Sequence, residues 1–109
     1  MSNFNQNRKA KLIEMLEETP NDDFLNYALA MEELAVENLQ SAVSCFQKCI
    51  EINPKHIPAR FQMAKIEQSN GNHANAITLL NEGIELLSKT KDSKTLNEFR
   101  TLLDEIEFS

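Results

Sequence analysis

Two cysteines and two histidines are the side chains of this sequence best equipped for chemistry. Cys45 and Cys49 stand four residues apart, so on a helix they share a face and could offer two thiolates to a metal ion. Zinc asks for four ligands, and neither His56 nor His73 falls at a spacing that completes the set. Two thiols within one helix are also badly aimed for a disulfide. Both are therefore expected to be packing residues, Cys49 in the core and Cys45 as a half-buried neighbour. His56 and His73 are expected at exposed helix boundaries, because no nucleophile or carboxylate is spaced to orient either one as a base. The carboxylates Glu17 and Glu18, Glu32 and Glu33, and Asp104 and Glu105 are adjacent pairs, which point to different sides of a helix and read as a solvated face. Gly71 and Gly83 are the only glycines, too few for a phosphate-cradling loop. No catalytic residue, metal site or cofactor is expected, and the chain is not expected to be an enzyme.

The elements that position these residues follow from composition and spacing. The 109 residues are 41% hydrophobic and 26% charged, enough apolar content to bury a core in one domain. Two glycines and three prolines disfavour a turn-rich β architecture. The net charge of −6, with no long basic run, disfavours nucleic acid and anionic membrane surfaces as partners. No apolar run is long enough to span a bilayer or to serve as a signal peptide, and the few cysteines suit a reducing compartment, so the expected location is cytoplasmic.

Apolar spacing predicts six helices. The first covers about 6–18 with Leu12, Ile13, Met15 and Leu16, and Pro20 stops it. The second runs from about Asp22 to Val36. Asn38 offers an N-cap for the third, which carries Ala42, Val43, Phe46, Cys49 and Ile50. Pro58 falls in the first turn of the fourth, which holds Phe61, Met63, Ala64 and Ile66. Asn70 and Gly71 mark a turn, and Asn72 is positioned to cap the fifth helix with Ala76, Leu79, Leu80, Ile84 and Leu87. Asp92 or Ser93 can cap the sixth, with Leu96, Phe99, Leu102, Leu103 and Ile106. Gly83 lies inside a helix at a cost of about 1 kcal/mol relative to Ala, so a packing reason is expected for it. Basic residues at the first helix's start and acidic ones at the last helix's end oppose the helix dipole, so both outer ends should fray.

The pattern repeats at an interval of 34 residues. Leu29 and Ala30 fall on Met63 and Ala64, Ala42 on Ala76, Phe46 on Leu80, Cys49 on Gly83, and Ile50 on Ile84. Pro20 precedes Pro54 by the same interval. This unit resembles a tetratricopeptide repeat, most clearly in the stretch from Ala42 to Pro54 and in the turn and helix start from Gly71 to Ile77. The resemblance implies an all-α, α-α superhelix of helical hairpins. Residues 23–56 and 57–88 form two repeats, 6–22 half of an earlier one, and 93–107 a capping helix, all in a single domain. Asn26 and Arg60 stand where the family favours a large aromatic, and Glu33 and Glu67 replace its usual tyrosine.

The resemblance further implies a function. In the family the first helix of each repeat lines the concave side, which here displays Phe24, Tyr27, Met31 and Leu34, then Phe61, Lys65 and Gln68. Such a groove suits an apolar peptide or helix of a protein partner. Tyr27 and Phe61 are expected to serve the groove without packing the core. Tyr27 and Met31 occupy places that a carboxylate-clamping groove fills with Lys and Asn, so an apolar ligand is expected. The alternatives are a homodimer closed through the same patch, or Met1–Gln6 folding back over it.

Overall fold

The computed structural model describes residues 2–108, with side chains from 7 to 108. The expected fold-back of Met1–Gln6 lies outside the described side chains. Six helices follow in order: α1 (Ser2–Glu18), α2 (Asp23–Ala35), α3 (Leu39–Ile52), α4 (Ile57–Ser69), α5 (His73–Leu87) and α6 (Ser93–Glu107). The chain divides into two compact units, Met1–Ala59 and Arg60–Ser109.

In the first unit α2 packs against both α1 and α3. Its core contains Ala30, Ala42, Phe46 and Cys49, all fully buried. Small side chains at 30 and 42 let the helices approach closely, and the Phe46 ring fills the space between them. Asp22 starts α2 as an N-cap, its side-chain oxygen accepting the Leu25 N–H at 3.0 Å. Asn26 is buried in place of an aromatic ring and donates its amide to the carbonyls of Pro20 and Asp22.

In the second unit α5 packs against α6. Ala64, Ala76, Leu80 and Phe99 are almost fully buried. Gly83 has the expected packing reason: a Cβ there would overlap the Phe99 ring at Cε2. Arg60 is buried in place of an aromatic ring, its guanidinium paired with Glu82.

The two turns joining helices within the repeats are copies of each other 34 residues apart. The Glu37 N–H bonds to the Leu34 carbonyl and the Asn38 N–H to that of Glu33, at 3.0 and 2.9 Å. The Gly71 N–H bonds to Gln68 and the Asn72 N–H to Glu67, at 3.0 and 2.8 Å. This double closure requires left-handed backbone at the helix exit, and Glu37 has φ +61° where Gly71 has φ +81°.

Two expectations are corrected here. Neither Asn38 nor Asn72 caps its helix through the side chain. The Asn38 amide instead donates to Glu33 Oε2 at 3.2 Å. Glu33 in turn is buried, not solvated, and its Oε1 lies 2.7 Å from Lys9 Nζ. A buried carboxylate needs such partners, and α1 supplies one cation while the turn after α2 supplies an amide.

Candidate functional site

Phe24, Tyr27, Met31 and Leu34 are spaced by three, four and three residues, which places them along one face of α2. Phe24 is 74% exposed, and the other three are half-buried. The Phe24 ring meets His56 edge-on with centroids 6.1 Å apart. Tyr27 lies 5.0 Å from the His56 ring and 5.7 Å from Phe46. Tyr27 therefore packs the core as well as lining a face, contrary to the expected separation of the two roles.

His56 is buried, not exposed as expected. It immediately precedes α4, and its Nδ1 accepts the N–H of Ala59 at 3.2 Å. The imidazole thus acts where Ser or Asp usually does at a helix start, with the Phe24 and Tyr27 rings packed beside it. Spacing alone gave no sign of this, since a histidine before a proline-containing helix start reads as a boundary residue. His73 is exposed, as expected.

Asp23 sits at the first position of α2, beside Phe24 in sequence. Its carboxylate accepts the Asn53 amide at 2.9 Å, and that bond holds its pKa below the ordinary value.

In the second unit, Phe61 is half-buried against Phe99 with centroids 5.1 Å apart. It too packs the core, again against expectation. Lys65 is exposed, its Nζ 5.3 Å from the centre of the Phe61 ring. Gln68 is half-buried. Phe61 and Lys65 line a cleft of about 600 Å³ whose other wall is α6. There Lys94, Glu98, Thr101 and Glu105 join Leu102. Sequence reasoning gave α6 only a capping role and missed these residues. Their spacing of four, three and four was the available signal.

A second cleft, of about 550 Å³, is lined by Lys9, Ile13, Leu29, Glu33, Ser44 and Cys45 among others. Burial raises the Cys45 thiol pKa, the Glu33 charge adds to that, and Lys9 opposes it. Burial pushes Cys49 up to about 11. Thiols held protonated in this way are weak nucleophiles at neutral pH. Among the described residues, no group of three or more His, Cys, Asp or Glu is arranged to hold a metal ion.

A helical hairpin recurring every 34 residues, with duplicated turns and small residues at the crossings, defines a tetratricopeptide-repeat protein of the all-α, α-α superhelix class. Solved structures agree. A tetratricopeptide repeat domain protein from Salinibacter ruber, in its solution structure, is 27% identical with a TM-score of 0.74, over 81% of this chain and 89% of that one. The type III secretion translocator chaperone SycD of Yersinia enterocolitica has a TM-score of 0.88 at 15% identity, over 98% of this chain and 74% of that one. MamA has a TM-score of 0.71 at 17% identity, over 94% of this chain and 62% of that one. The chain belongs to the family described as Regulator of microtubule dynamics protein 1-3, whose sequence pattern matches residues 10–107. Among curated proteins no match was found.

Proposed function

We propose that this chain is a non-enzymatic protein-interaction module whose ligand is an apolar peptide or helix. The observation that carries the reading is the α2 strip: an aromatic ring 74% exposed at Phe24, continued by Tyr27, Met31 and Leu34 on the same face. Exposed apolar strips on water-soluble surfaces mark contact sites, and aromatic and methionine side chains adapt well to a helical partner. Phe61, Lys65 and Gln68 on α4 belong to the same proposal, as do repeat boundaries at 23–56 and 57–88 with 93–107 as the closing helix. The chaperone among the similar structures supports a protein ligand, and the family's description as regulators of microtubule dynamics directs the first partner search to proteins involved in that process.

The test follows from the exposures. Tyr27 and Phe61 are unsuitable for truncation because their rings pack against Phe46 and Phe99. Phe24→Ala removes an exposed ring and should leave the melting temperature unchanged. Immobilised wild type should retain at least one cellular protein that Phe24→Ala does not. Equal retention by both forms would refute the docking role of α2, and a tight homodimer that hides Phe24 would replace it.

A further inference from the structure

We infer that the α2 face takes a cationic amphipathic segment, in which large apolar residues alternate at helical spacing with Lys or Arg. This rests on the docking reading above and adds the charge of the ligand.

The apolar half of the argument is the strip itself, whose three-four-three spacing matches the anchor spacing of an amphipathic helix laid against it. The electrostatic half comes from what surrounds it. Residues 1–59 carry nine Asp and Glu against five Lys and Arg. Two of those cations are already engaged on the α1 side of α2: Arg8 with Glu32 at 3.1 Å and Lys9 with Glu33 at 2.7 Å. The exposed end of the strip carries the opposite character. Phe24 follows directly on Asp22 and Asp23, and Glu37 lies just beyond Leu34. The Asp23 carboxylate is held in place by the Asn53 amide, which donates to it at 2.9 Å and keeps its pKa below the ordinary value. No lysine or arginine occurs anywhere between Asp22 and Asn38. An anionic ligand laid on α2 would therefore meet like charge at both ends, whereas a cationic one gains at both.

Tyr27 makes the idea readily testable. It is the only tyrosine, and the chain has no tryptophan, so fluorescence excited at wavelengths that phenylalanine does not absorb reports this face alone. The probes are synthetic amphipathic helices of Leu with Lys, of Leu with Gln, and of Leu with Glu, all free of aromatic residues. The Leu-Lys peptide should change Tyr27 emission saturably. Its affinity should fall at least tenfold in Phe24→Ala and severalfold in Asp23→Asn, which keeps an oxygen for Asn53 but loses the charge. Raising ionic strength from about 0.01 to about 0.15 M shortens the screening length from about 30 to about 8 Å and should weaken binding further.

If the Leu-Gln or Leu-Glu peptide binds as tightly and remains dependent on Phe24, the charge assignment is overturned while the docking reading stands. If Leu-Lys binding ignores Phe24, only the general acidity of the chain is being sensed, and both are overturned. If none of the peptides binds, the inference fails outright.

Discussion

Glu37 holds the least comfortable backbone position among the described residues, a left-handed φ of +61° where the second repeat has Gly71. A side chain there costs about 1 kcal/mol or more because its Cβ crowds the following carbonyl. Glu37→Gly should therefore raise stability by about 0.5–1 kcal/mol, measured by urea denaturation. Gly83 is the converse case. The Phe99 ring occupies the space a Cβ would need, so Gly83→Ala should lower stability by about 1–3 kcal/mol despite alanine's better helix propensity. Asp23 and Asp92 both have carboxyl pKa values below the ordinary 3.8, Asp23 through Asn53 and Asp92 through Thr95. A lowered folded-state pKa stabilises the fold above the unfolded value and is lost as pH falls through the folded one. Acid denaturation should accordingly steepen below about pH 4, and Asn53→Ala should shift that limb toward higher pH.

At the scale of elements, α1 is tied to α2 by the two ion pairs and packs against it with Leu12 and Leu16 half-buried. Replacing Lys9 with Met leaves the Glu33 carboxylate buried without its cation. It should cost about 1–3 kcal/mol, readable as a lower denaturation midpoint. α6 buries Phe99, Leu102 and Ile106, with Phe99 against Gly83 of α5. Removing residues 93–109 exposes that surface and should abolish a cooperative melting transition or lower it severely. The helices themselves were legible in the sequence because period, prolines and the Asn70 and Gly71 turn agree on where each ends. The small residues at 30, 42 and 83 mark where α2 packs on α3 and α5 on α6, and those at 64 and 76 are fully buried. What spacing did not reveal was how polar groups are shared between elements. Asn38 looks like an N-cap, yet its amide serves the buried Glu33 and the turn closes through the backbone. Glu33 looks solvated until a lysine from a different helix is found beside it.

At the scale of the whole molecule, the fold class was legible from one number, the 34-residue interval, because each repeat must present the same packing surface to its neighbour. The candidate site was only partly legible. The α2 strip follows from spacing and the resemblance. The burial of His56 and the core contacts of Tyr27 and Phe61 depend on which way rings turn once packed, which no local pattern encodes. The charged wall of the cleft against Phe61 was missed for a related reason, since a terminal helix was credited only with covering the core. Among the described residues no helix is long and apolar enough to cross a membrane.

The docking role of α2 is tested most directly by placing a photo-reactive phenylalanine analogue at position 24 and, separately, at the exposed α3 position Gln47, then illuminating each protein in cell extract. Discrete protein adducts at position 24 that are absent at position 47 are the expected result. No adduct at 24, or the same adducts at both positions, would contradict it.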